Sequence, residues 1–226
     1  MQIYFVRHGQ TQYNLEQRFQ GGRVDSPLLT SGIRGAQQAG AYLADVHFAR
    51  VYSSPQKRAL DTAAYITAAN RWHPQIKLAP NLREMDFGDW DGQLEKDVQP
   101  QAQLEIVVHH PDQYRPELAG GGESYPQFVA RITQAVHAAV AEVGVDSTRP
   151  LLIVSHGLVT TMSIKALLGV SIADIRKPLV INGQELPTVG YGIVDNDSLT
   201  VVETLDNRHF EIKTWNETGY LKPAKS

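Results

Sequence analysis

The sequence predicts an α/β protein built on a mainly parallel sheet with helices on both faces. Short apolar runs alternate with helical patterns three times along the chain. Several of those runs stop abruptly at polar or charged residues. Strand–helix alternation of this kind closes into a parallel sheet through right-handed crossovers.

Ile3 to Val6 reads as the first strand and ends at Arg7-His8-Gly9. A helix follows from near Thr30 to about Asp45, with Ile33, Ala36, Ala39/Gly40 and Leu43 on one face. The second strand, Arg50 to Ser53, runs into Ser54-Pro55. That pairing predicts a capping serine and a proline at the first helical position, where a missing N–H costs nothing. The helix it opens carries Ala59, Leu60, Ala63 and Ile66 inward, and Ile76 to Ala79 reads as an edge strand. From Glu84 to Glu123 the character changes: ten acidic residues face only Lys96 and Arg115, for a net charge of 2 − 10 = −8. Aromatic residues, prolines and short helical patterns make this stretch an insertion packed over the main domain. Ser124 and Gln127 form a capping-box pair that opens a long helix through Val129, Ile132, Val136, Ala139/Val140 and Val143. Leu151 to Val154 is a fully apolar strand, followed by His156-Gly157 and a helix through Leu168. Pro187 to Val194 and Leu199 to Glu203 flank Asp195-Asn196-Asp197 as a hairpin or strand pair, and the tail after Asp206 is weakly patterned.

Composition narrows the class. With 18 glycines and 12 prolines in 226 residues, and 20% charged residues, the chain is neither collagen-like nor disordered. Its length suits a single domain, 1–226, with the insertion at about 84–123. A net charge of −3 provides no global field for nucleic acid or an anionic membrane, so neither is expected as a partner. Arg7 interrupts the first apolar run too early for a secretory segment, and no run is long enough to span a bilayer. The absence of cysteine excludes disulfides, thiolate nucleophiles and cysteine zinc sites. A cytoplasmic location is the default expectation, and a homodimer is compatible with the sequence.

Ligands of open α/β sheets bind beyond the carboxyl ends of the strands. Arg7 and His8 end the first strand, Arg58 lies on the first turn after the second, and His156 follows the strand ending at Val154. Two arginines and two histidines thus converge on one crevice beside a helix N-terminus, a set of donors suited to phosphate. A neutral imidazole there attacks phosphorus through one nitrogen while an acceptor holds the other N–H, and nearby cations disfavour its protonation. No metal or other cofactor is required, and no metal-ligand spacing is present. His109-His110 reads as a solvated helix end. Asp86, Asp89 and Asp91 read as a polar loop at the pocket rim, and Gly120 to Gly122 as a flexible approach to the Ser124 cap.

RHGQTQYN at residues 7–14 resembles the opening motif of the histidine phosphatase superfamily, the phosphoglycerate mutase-like group. FQGG, LTSGIRGAQQAG, SSPQKRALDTA, LREMDFGDWDG, GGES and VSHG continue the resemblance in order as far as Gly157. The resemblance implies a phosphoglycerate mutase-like fold and transient phosphorylation of His8, with Arg7, Arg58 and His156 around the phosphate. It implies that Glu84 protonates the leaving oxygen and that Asn14, Gln20, Gly21 and Gly157 contact phosphate or substrate. Gln10 and Leu158 stand where mutases usually have Glu and Asn, and DFGDWDG is closer to the phosphatase branch. The expected activity is a phosphomonoesterase for small phosphorylated metabolites. A cofactor-dependent phosphoglycerate mutase is the alternative, and a non-catalytic phosphate-binding module the second. The acidic insertion is expected to roof the pocket and repel a second phosphate.

Overall fold

The computed structural model describes residues 1–222. Its main sheet has six strands in the order β3-β2-β4-β1-β7-β8. These are β1 (Gln2–Arg7), β2 (Arg50–Ser53), β3 (Ile76–Leu78), β4 (Leu151–Ser155), β7 (Leu199–Thr204) and β8 (Phe210–Glu217). A separate small pair joins β5 (Val180–Ile181) to β6 (Gln184–Glu185). The strands β1 to β4 run parallel, whereas β7 lies antiparallel to β1 and β8 antiparallel to β7.

Every residue of β4 is buried, as a central parallel strand covered on both faces requires. Its alternation sorts the core into two layers. Leu151 and Ile153 join Ile3 and Phe5 against α5 (Tyr125–Val143), through Phe128, Ile132, Val136 and Val140, and against α6 (Gly157–Leu167). Leu152 and Val154 join Val6 and Val51 on the other face, against α2 (Thr30–Tyr42) and α3 (Lys57–Ala69). The buried face of α2 consists of Gly32, Gly35, Ala36, Ala39 and Gly40, which lets the two helices approach closely; a Cβ at Gly40 would stand 3.0 Å from that of Ala69.

The Ser124–Gln127 capping box forms as the sequence predicts. Elsewhere the boundaries move. The helix after β2 starts at Lys57 with Gln56 at its cap, so Ser54 is free to act elsewhere. The helix starting at Thr30 ends at Tyr42, and Ile33 lies only half-buried. Pro187 to Val194 is not a strand and contributes one isolated bridge, Val189 to Ile193. The partner of Leu199–Thr204 on its outer side is β8, within the tail read as weakly patterned. As an edge strand, β8 buries little along its length and so leaves a faint hydrophobic alternation.

Residues 84–123 form α4 (Gln101–His109) and several 3-10 turns. Met85, Phe87, Trp90, Val98, Val107, Tyr114 and Ala119 pack into the same apolar cluster as Phe5 and Ile153. Gly120 and Gly122 pack against the turn at Asp86–Asp89, whereas a Cβ at Gly121 would meet open space, and all three have positive φ (82°, 90° and 100°). Gly120 and Gly122 thus serve as a tight fit, and not as a loose approach to the Ser124 cap. Both His109 and His110 are exposed at the end of α4. Among the described residues, no helix is long and apolar enough to cross a membrane. The remaining helix, α1 (Gln12–Glu16), follows the His8 turn and is opened by a Thr11–Asn14 capping box.

Candidate active site

Parallel pairing puts the carboxyl ends of β1, β2 and β4 side by side, with Arg7 opposite Ser155 and Ser53 opposite Val154. His8 is the first residue beyond β1, and its N–H still donates to the carbonyl of Ser155 (2.9 Å). Its ring is almost wholly buried and packs edge-on to that of His156, with centroids 5.2 Å apart. His8 Nδ1 lies 2.8 Å from the Gly9 carbonyl. A carbonyl only accepts, so Nδ1 carries the proton and Nε2 keeps its lone pair. Burial, reinforced by Arg58 and then Arg7, holds the His8 pKa well below the usual imidazole value.

The surrounding donors are fixed in the same way. Arg7 donates through Nη1 to the Val194 carbonyl (2.6 Å), and burial lowers its pKa to about 10. Arg58 gives Nη1 to Val24 O and Asp25 Oδ1 (3.0 Å each) and Nη2 to the carbonyls of Gln20 (3.1 Å) and Gly21 (3.3 Å). In both arginines Nε is buried without a partner, and so is Nδ1 of His156. His156 Nε2 meets Ser54 Oγ at 2.8 Å. Among the described residues the Ser54 hydroxyl, which accepts from the Gln56 amide (3.3 Å), has no acceptor for its own proton other than Nε2, which leaves the ring proton on the unpartnered Nδ1. Thus the serine expected to cap a helix orients the second histidine instead. Three buried donors remain unsatisfied on residues around the paired imidazoles, although of the three residues only Arg7 lines the cavity. Native interiors avoid such donors unless a ligand completes them.

Asn14 and Gln20 line the cavity above His8. The Asn14 Oδ1 accepts from the Thr11 amide at 3.1 Å, and the Gln20 Oε1 accepts from the hydroxyls of Thr11 (3.0 Å) and Ser26. Their NH₂ groups are left for a ligand. Gly157 also lines the cavity, and any Cβ there would crowd Ile193 Cδ1 at 2.8 Å and the Arg7 guanidinium at 3.3 Å. Gly21 does not reach the cavity wall. Its N–H donates to Asp91 (2.8 Å), its carbonyl accepts from Arg58, and a Cβ would strike Asp91 and the Met85 carbonyl. Its place in the site is to let the loop close on Arg58.

Glu84 is buried on the cavity wall, with Oε1 accepting from the Met85 amide (2.9 Å) and Oε2 from the Leu158 amide (3.1 Å). The first turn of α6 therefore gives one of its amides to Glu84. Burial raises the Glu84 pKa despite those bonds and the two arginines. Behind it, Arg131 donates to the carbonyls of Asn81 (2.8 Å), Arg83 (2.7 Å) and Glu84 (3.0 Å), and pairs with Glu123 at 2.6 Å. Removing this anchor lets the Glu84 segment shift. Arg131→Met is expected to lower turnover of alkyl phosphates by roughly tenfold and of nitrophenyl phosphate much less. Equal losses on the two esters would show that the segment is held by other contacts.

The acidic insertion does not roof the cavity with charge. Of its ten carboxylates only Glu84 and Glu95 line it. Asp89, Asp97, Glu105, Asp112 and Glu117 are exposed, Asp86 and Asp89 pair with Arg23, and Glu123 pairs with Arg131. Asp91 is turned inward against the amides of Gly21 and Arg23, with burial raising its pKa to about 6. Lys96 and Arg115 are exposed as well, and the cavity takes Arg18 and Arg176 from other segments. The sequence reading missed both arginines, with Tyr191, because they sit in irregular loops where no periodicity or motif marks a residue as inward-facing.

A mainly parallel sheet whose carboxyl edge gathers two histidines and two arginines around unsatisfied donors defines an anion site of the phosphate-handling kind. The model of the histidine phosphatase superfamily (branch 1) matches residues 3–218, and the chain belongs to that family. Fructose-2,6-bisphosphatase TIGAR of Xenopus laevis is 36% identical over 131 residues; the match covers 57% of this chain and only 46% of that protein. A probable phosphoglycerate mutase of Proteus mirabilis is 31% identical over 177 residues, covering 75% of each chain. The solved structure of a mycobacterial glucosyl-3-phosphoglycerate phosphatase superposes with a TM-score of 0.77 at 26% identity, covering 96% of this chain and 99% of its own.

Proposed function

We propose that the protein is a metal-independent phosphomonoesterase for small phosphorylated metabolites, acting in the cytoplasm through a phosphohistidine at His8. The observation that carries this reading is the set of three buried, unpartnered donors beside an imidazole whose nucleophilic nitrogen is left bare: Nε of Arg7, Nε of Arg58 and Nδ1 of His156. Phosphate oxygens fill those vacancies, and donors already held by carbonyls need no reorganisation as charge develops. Asn14 and Gln20 add amide donors, Gly157 leaves room for Arg7, and Glu84 protonates the departing oxygen. Water then attacks the phosphohistidine with Glu84 as base. Phosphatases of small metabolites among the family relatives support the substrate class.

The purified protein is expected to release phosphate from p-nitrophenyl phosphate in the presence of a chelator, and to isomerise phosphoglycerate more slowly than it hydrolyses it. Isomerisation outpacing hydrolysis with the bisphosphate primer present would select the mutase reading, which Arg18 and Arg176 on the cavity wall keep physically open. Binding of phosphate esters with no turnover would select the non-catalytic module.

A further inference from the structure

Gln56 stands between Pro55 and α3, and its main chain closes the turn after β2. Its N–H donates to Ser54 Oγ (3.3 Å), and its carbonyl accepts from the amides of Ala59 and Leu60 (3.0 Å each). The side chain gives its own helix no capping bond; it is 4% exposed and reaches between two other segments. Its Nε2 donates to the carbonyls of Gly21 (2.9 Å) and Val24 (3.1 Å), and its Oε1 accepts from the Glu84 amide (2.8 Å). Carbonyls only accept and an amide N–H only donates, so these partners fix which way the carboxamide points and use both of its protons.

The same two carbonyls hold the Arg58 guanidinium, Val24 at 3.0 Å and Gly21 at 3.3 Å. Glu84 is held at its carbonyl by Arg131 (3.0 Å) and at its carboxylate by the amides of Met85 and Leu158, while its N–H goes to Gln56. One carboxamide thus spans from the backbone that anchors Arg58 to the backbone that carries Glu84. An acid works only within hydrogen-bond reach of the leaving oxygen, and on the phosphatase reading Arg58 helps to place the phosphoryl group that bears this oxygen. The offset between the two residues therefore decides whether the proton arrives. Separate contacts hold the loop itself: the Gly22 N–H donates to the Met85 carbonyl (2.8 Å), and the amides of Gly21 and Arg23 donate to Asp91. None of these bonds is to Glu84, so they keep the loop in place when Gln56 is changed.

We propose that Gln56 is a positioning residue for the acid, setting Glu84 at a fixed offset from Arg58. The proposal rests on the phosphomonoesterase reading, with Glu84 as proton donor. It is tested with Gln56→Met, which keeps an unbranched stem and removes all three side-chain hydrogen bonds. The value of kcat/KM for n-butyl phosphate should fall by roughly tenfold, and that for p-nitrophenyl phosphate by less than about twofold. Inhibition by inorganic phosphate, which reads the anion site without the acid, should stay within about twofold of the wild type. In a Glu84→Gln background the same substitution should cost less than about twofold on either ester, because an acid already lost cannot be misplaced. Gln56→Asn, one methylene too short to span the gap, keeps a polar group there and should give the same ester-selective loss if the methionine variant does not fold. Equal losses on the two esters, weakened phosphate inhibition, a loss that persists in the Glu84→Gln background, or no loss at all would each overturn the positioning role. Failure of the wild type to hydrolyse either ester would instead overturn the phosphatase reading.

Discussion

Replacing His8 with alanine is expected to lower phosphate release by on the order of 10⁴-fold or more and to remove an acid-labile phosphoenzyme trapped from the wild type. The size of the effect follows from the geometry. The Nδ1–H is held by the Gly9 carbonyl, Nε2 is bare, and burial with two arginines keeps the ring neutral. His156 cannot substitute, because its Nε2 is engaged by Ser54 and its Nδ1 bears the proton. Alanine leaves the backbone bonds of residue 8 to Ser155 and Asn196 intact, so the variant should fold and still bind phosphate. Near-normal turnover, or a phosphoenzyme that survives the substitution, would remove His8 from the chemistry.

Glu84→Gln should be the second most damaging change, and its effect should depend on the leaving group. An alkoxide needs a proton as the bond breaks, so alkyl phosphates should lose about 10²- to 10⁴-fold, whereas a nitrophenolate leaves readily and should be partly spared. Glutamine preserves both the side-chain volume and an acceptor for one of the two amides that hold Glu84. The pH dependence follows from the two opposed shifts. Activity requires neutral His8, whose pKa is lowered from 6.5, and protonated Glu84, whose pKa is raised from 4.5. Rates therefore fall as pH drops through the His8 value and as pH rises through the Glu84 value, giving a bell for alkyl phosphates. In Glu84→Gln the alkaline limb should vanish; its persistence would assign the acid to another group.

The chemistry at the strand ends could be read from the chain because parallel pairing forces the residues after β1, β2 and β4 to one edge. Arg7, His8, Arg58 and His156 needed only the strand–helix order to be brought together. Glu84 could be named only through family resemblance, since its burial depends on Gln56, Arg131 and the start of α6 folding around it. Gly21 shows another limit: a motif glycine near the site has its N–H given to Asp91 and its Cβ position filled by Asp91 and Met85, contacts that the motif does not announce. The net charge of 84–123 was correct as arithmetic and misleading as a local field, because Asp86, Asp91 and Glu123 turn toward Arg23, two main-chain amides and Arg131. Likewise Arg176 gains its place from Lys165 and Tyr125, contacts that no sequence spacing encodes.

The strand that leads into His8 leaves the ribosome before every other strand of its sheet, yet both of its sheet neighbours come late, β4 at Leu151 and β7 at Leu199. The amino terminus closes onto Thr204, 203 residues away. At synthesis rates of about 5–20 residues per second, β1 waits on the order of 10–40 s for its second neighbour. Until β4 emerges this apolar strand has both edges unpaired, and until β7 emerges it still has one, a state prone to wrong pairing between nascent chains. A shortened chain lacking β7 would leave one of those edges open permanently, so premature termination before residue 199 should yield aggregates and not a weakened enzyme.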